Sequence, residues 1–142
     1  MRIEKLKKNF NIKVELVHFP LHPETPEEGL PIAKLYAERN MDPEEMFRQM
    51  KERMDAEGLP YGKRTHTYNS RKAQELGKWA DTQQNGHLLH DAFYRAYFVD
   101  TQNIADKNLL LSVVDKVGLD ITEAHKVLDK RLFREAVDRD WE

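Results

Sequence analysis

Apolar and polar positions alternate with a period of two only once along this chain; elsewhere apolar residues recur every three to four positions. In "IKVELVHF", Ile12, Val14, Leu16 and His18 fall on one side of an extended chain, and Lys13, Glu15, Val17 and Phe19 on the other. The alternation and β-branched content predict a strand over residues 12–19. Pro20, Pro23 and Pro26 end it, because proline has no N–H to give a ladder. Ahead of it, Ile3, Leu6 and Phe10 sit three and four apart, the spacing of a short helix over 2–9.

From there the pattern is helical. Thr25-Pro26-Glu27-Glu28 has the order of a helix start: hydroxyl cap, proline, then acids facing the positive dipole end. Leu35 and Tyr36 belong to that helical stretch. Asp42-Pro43-Glu44-Glu45 is a second start, with Met46, Phe47, Met50 and Met54 as its stripe and Gly58 as its stop. "GLPYGKRTHTYN" is rich in turn formers. A helix then begins near Asn69 or Ser70 and runs to about Asn85, with Ala73, Leu76, Trp79 and Ala80 inward. Leu89, Phe93, Ala96 and Tyr97 mark the next. Asp106 caps "KNLLLSVVDKV", with Leu110, Val113, Val114 and Val117 buried and Gly118 closing it. Thr122 caps a last helix carrying Leu128, Leu132 and Ala136. The predicted core is Phe47, Met50, Leu76, Trp79, Phe93, Tyr97, Leu110, Val114 and Leu128, holding residues 43–138 as a bundle.

One strand among helices is a conflict. A strand without neighbours leaves backbone donors and acceptors unpaired on both edges. The partners therefore lie in a missing part of a larger domain, come from a second copy, or are not needed because the segment is no strand in isolation. The simplest expectation is a piece of a larger domain.

Composition narrows the classes. The chain has 142 residues, 34% charged and 39% hydrophobic, with a formal net charge of −2. A near-neutral balance argues against a general nucleic-acid binder. No apolar run approaches the ~20 residues of a membrane span. "MRIEKLKKNF" is basic but lacks the apolar stretch of a signal peptide, so cytoplasm is the default location. There is no cysteine, which excludes disulfides, thiolate chemistry and cysteine-bound metals from these residues.

The order of motifs supplies more. "VELVHFPLHPETPEEGL", the Gly58-Leu59 loop leading to Tyr68-Asn69-Ser70-Arg71-Lys72-Ala73, and "DAFYRAYFVDTQNIADKNLLLSVVDKVGLD" together resemble the DsbA-like thiol–disulfide oxidoreductases, FrnE-type branch. Ser70 stands where that branch has threonine. The resemblance runs from about Arg2 to Trp141 and rests on the ordered set. It implies a mainly α fold: a helical bundle like the DsbA/FrnE insertion domain, with one N-terminal β-strand left over from a thioredoxin-like sheet. Residues 1–26 would be the thioredoxin-like remnant and 27–142 the helical insertion domain. The family's Cys-Pro-x-Cys would lie just before this chain and its cis-proline segment just after it.

The resemblance implies an incomplete protein disulfide oxidoreductase whose partner is a protein or thiol substrate. This chain would supply the helical wall of the substrate groove and not the dithiol, with Phe19, Leu21, Asn69, Tyr94 and Phe98 as groove candidates. No cofactor is implied. Two other readings stand beside it: a small all-helical protein-interaction module without redox function, and a relative of the glutathione-dependent isomerases of the same superfamily. A homodimer through residues 3–19 would cover the orphan strand.

Several candidates also have plain readings. Asn69 suits a helix cap. Phe93 and Tyr97 suit the core, whereas Tyr94 and Phe98 are offset around the helix toward a groove. His18 and His22 flank the turn that the resemblance places near the active thiols; a partly buried structural role is favoured for a chain without a thiol. His87 and His90 are three apart on one helix, but zinc needs more ligands and Asp91 points elsewhere, so surface histidines are favoured over a metal site. The acids of "PETPEE" and "DPEE" serve helix starts, and "KLKK" is a solvated face.

Overall fold

The computed structural model describes residues 2–142, less the side chains of Arg2 and Glu4. Among these residues the fold is mainly helical: α1 (Arg2–Asn9), α2 (Ile32–Ala37), α3 (Pro43–Ala56), α4 (Arg71–Ala80), α5 (His87–Tyr94) continuing into a π-helical turn (Arg95–Val99), α6 (Lys107–Lys116), α7 (Ile121–Lys130) and α8 (Arg134–Trp141). The only ladder among them is a two-residue antiparallel pair, β1 (Leu30–Pro31) with β2 (His66–Thr67).

Helix α4 is the centre. It packs against α5, α7 and α8, while α6 bridges α5 and α7. The stripe Ala73, Leu76, Trp79 and Ala80 is buried against Leu89, Ala96, Leu110, Val114, Ala124, Val127 and Leu128. Phe93 and Tyr97 pack on this core half-buried. Local chemistry sets the helix starts. The Asp42 carboxylate accepts from the Glu44 amide at 3.0 Å, and Asp106 accepts from the Leu109 amide at 2.8 Å. Each satisfies a donor that has no partner inside its helix. Gly58 and Gly118 follow α3 and α6 as expected.

Other expectations change. Residues 12–19 are not a strand: residues 11–20 carry no regular structure and 11–17 are exposed. An apolar edge with nothing to pair against gains nothing from being extended. Thr25 to Glu28 do not start a helix. Thr25 is buried, and the Gly29 amide donates to the Pro26 carbonyl at 3.0 Å, closing a turn; the helix waits until Ile32.

The helix expected to reach Asn85 ends at Ala80, where the Thr82 hydroxyl takes the Trp79 carbonyl at 2.6 Å. Asp120, not Thr122, caps α7, accepting from the Thr122 and Glu123 amides at 2.8 and 3.0 Å. The last helix is two helices, broken at Arg131, whose φ is +51°. The register therefore shifts: Leu132 is exposed, Ala136 half-buried, and Val137 takes the core position. Phe47 and Met50 are not core, because α3 buries no residue; with Met46 they line a surface cleft instead.

Candidate functional site

Residues 18–29 lie against the start of α4 and are held there mainly by polar groups. The Asn69 side chain is the hub. Its amide nitrogen donates to the Pro23 and Thr25 carbonyls at 3.2 and 2.8 Å, and its oxygen accepts from the Arg71 amide at 2.9 Å. One side chain thus caps the entry to α4 and fixes the proline-rich segment. Further on, the Gln74 amide donates to the Phe19 carbonyl at 3.4 Å. Lys72 pairs with Glu27 at 2.7 Å.

The backbone of this segment is anchored while its apolar side chains are not. Phe19 is 71% and Leu21 72% exposed, so both project outward from a fixed main chain. Ile12, Val14, Leu16 and Val17 continue the exposed row toward the N-terminus.

His18 sits where this segment meets the bundle. Its backbone amide donates to Asp140 at 2.9 Å, which Lys78 also holds at 2.8 Å. Its ring lies 6.2 Å from that of His90, and His18 Nε2 is buried with no hydrogen-bond partner. Burial holds its pKa below the ordinary value of 6.5; Asp140 and Asp81 oppose that shift, and His90 and Lys78 add to it. Gly77 makes the room: a Cβ there would stand 3.0 Å from the His90 ring and 3.2 Å from the His18 ring. His90 pairs with Asp81 at 2.7 Å. His87 is exposed, and the described residues contain no group of three carboxylate or imidazole side chains placed to hold a metal.

Tyr94 and Phe98 lie together elsewhere on the surface. Their rings are 5.1 Å apart, and Phe98 also meets Tyr97 at 4.7 Å and Tyr61 at 6.3 Å. The band reaches Tyr68 through Tyr97 at 6.5 Å, and Tyr68 is the neighbour of Asn69 in sequence. This chain of rings is the link between the two groups of candidates.

The second half of this band lies on the π-helical turn. The Asp100 amide bonds the Arg95 carbonyl, five residues back, at 2.9 Å. The turn carries Tyr97 and Phe98, and such turns occur often at functional sites. The turn is braced by the Gly62 amide on the Phe98 carbonyl at 2.7 Å. Only glycine fits there, since a Cβ would fall 2.1 Å from the Val99 carbonyl oxygen. The Tyr94 hydroxyl is buried without a partner; burial, then the adjacent Tyr61, push its pKa up.

Reading the sequence missed three residues here. Arg64, inside the loop of turn formers, stacks its guanidinium 4.4 Å from the Tyr97 ring centre and 4.8 Å from that of Phe98. Tyr61 and Tyr68, from the same loop, complete the band. Two tyrosines in an otherwise polar loop were the available signal, as rings there need a surface to lie on.

A face of exposed apolar side chains, stacked rings and a guanidinium can hold a polypeptide. It supplies no thiol. Comparison with curated proteins finds no match. The chain matches the family described as DSBA-like thioredoxin domain over residues 1–142; it belongs to that family, whose fold is that of thioredoxin-like oxidoreductases.

Proposed function

We propose that this chain is the helical, substrate-contacting part of a FrnE-type disulfide oxidoreductase, with residues 1–26 the remnant of the thioredoxin-like unit and 27–142 the helical insertion domain. The supporting observation is the segment from Phe10 to Leu21. Its main chain is tied to the bundle near residues 18 and 19, yet its apolar side chains are exposed. In a family built on a thioredoxin-like sheet, that row of side chains suits a sheet and a bound chain better than water. With no cysteine, these residues cannot run the dithiol couple. The role left is to hold the polypeptide whose cysteines react elsewhere, with Phe19, Leu21, Asn69, Tyr94 and Phe98 as the contact residues.

Two measurements test this. In an insulin-reduction assay with dithiothreitol, the protein leaves the turbidity rate unchanged; reproducible acceleration refutes the division of labour. A carboxymethylated, permanently unfolded polypeptide carrying a fluorophore binds the protein, and Phe19→Ser with Leu21→Ser weakens that binding at least fivefold. Binding unaffected by the double substitution, or absent altogether, refutes the contact role.

A further inference from the structure

The cleft lined by α3 lies between α2, α3 and the loop 61–65. It has a volume of about 210 Å³, and Ile32, Tyr36, Met46, Phe47, Met50 and Tyr61 form its apolar lining. Lys63, Arg64 and Glu44 bring charge to it. Lys63 is already matched by Glu44, at 2.7 Å. Arg64 is different: among the described residues no carboxylate pairs with it, and its Nε is buried with no hydrogen-bond partner. Its guanidinium is stacked on the Tyr97 and Phe98 rings, and Arg64 lines the cavity.

A buried guanidinium nitrogen without an acceptor is costly unless something supplies one. The geometry points to a binding site for a short apolar monocarboxylate, its carboxylate on Arg64 and its body against Met46, Met50 and Phe47. A single unmatched cation fits one negative charge, not a phosphate or a dicarboxylate. The thioether and ring floor requires an apolar body. The volume is below the roughly 300–1,000 Å³ of drug-sized ligand sites, so the ligand is small. The site shares Arg64 and the Phe98 ring with the band described above but uses none of Phe19, Leu21 and Asn69, so the Phe19→Ser, Leu21→Ser variant should leave it unchanged and separates the two readings.

The test is a ¹⁵N–¹H titration of the whole chain with 4-phenylbutyrate, with its uncharged amide, and with a tripeptide ending in phenylalanine as free acid. We expect 4-phenylbutyrate to shift the amides of residues 46–50 and 61–65 saturably below about 10 mM, as suits a ligand of this size. The amide should bind about tenfold more weakly, and Arg64→Gln should reduce the affinity for the acid by a similar factor. Ala33→Phe places a ring in the cavity from α2 and should abolish the shifts; it decides the matter if Arg64→Gln fails to fold. Three outcomes overturn the proposal: no saturation, equal binding of acid and amide, or undiminished binding by either folded variant. Tighter binding of the tripeptide than of 4-phenylbutyrate also overturns it, in favour of a peptide C-terminus.

Discussion

Replacing Glu75 by glutamine tests the most polar element of the core. Glu75 is fully buried on α4, yet it stays charged because two guanidiniums face it. Arg71 Nε donates to it at 2.8 Å, and Arg131 does so through Nε at 2.7 Å and an Nη at 2.5 Å. Burial alone would raise its pKa, but the bonds from Arg131 and Arg71 outweigh burial and hold it below the ordinary carboxylate value. Removing one partner of a buried pair costs roughly 3–5 kcal/mol. Here the figure belongs at the low end. Arg131 is 42% exposed at its side chain and can turn to water, and Arg71 keeps Asp138 at 2.6 Å.

About 3 kcal/mol is therefore expected at pH 7, or about 10 °C in melting temperature for a chain of this size. The sign with pH follows. The folded carboxyl is more acidic than the unfolded one, so its contribution is complete above about pH 4.5 and fades as pH falls through the lower folded value. Urea unfolding followed by circular dichroism should show a constant gap between wild type and Glu75→Gln from pH 7 to 5, narrowing below that. A gap under 1 kcal/mol at pH 7, or one that widens in acid, would refute the reasoning.

Leu110 is fully buried, so Leu110→Ala should destabilise by roughly 2–5 kcal/mol; a urea midpoint shift worth well under 1 kcal/mol contradicts its place in the core. The lowered pKa of His18 means the unfolded chain binds more protons just below pH 6.5, so stability should fall as pH drops from 7 to 5.5. His18→Gln should flatten that slope in pH-dependent melting curves, and an unchanged slope rejects the assignment. Residues 3–19 should mediate a homodimer, lost in the Val14→Lys, Leu16→Lys double variant; sedimentation equilibrium showing a wild-type monomer at tens of micromolar (a range in which weak pairing still registers) removes that idea.

The strongly periodic helices were legible in the sequence. Leu76, Trp79, Leu110 and Val114 lie on uninterrupted stripes, and their burial follows from spacing alone. Failures came where long-range groups override spacing. Arg131 breaks a good helical pattern because its guanidinium is drawn to Glu75, 56 positions earlier, and no local rule contains that distance. The Thr25 start failed because the Asn69 amide claims the Pro23 and Thr25 carbonyls. The alternation of residues 12–19 was real, but alternation makes a strand only when a second edge is present. In the candidate site, Tyr94 and Phe98 were legible as a pair offset from the stripe. Arg64 was not, because its partners, the Tyr97 and Phe98 rings, lie far along the chain.

One glutamine on α4 ties the proline-rich segment to the last helix. The Gln74 amide nitrogen reaches the Phe19 carbonyl at 3.4 Å, and its oxygen takes the Trp141 indole N–H at 2.9 Å. One residue before each, the His18 amide meets the Asp140 carboxylate. Positions 122 apart in sequence are thus neighbours in space. The order in which the helices are strung together is then nearly free. A circularly permuted chain, with Glu142 joined to His18 by a linker of about four residues and new termini between the exposed Gln84 and Asn85, should fold to the same bundle.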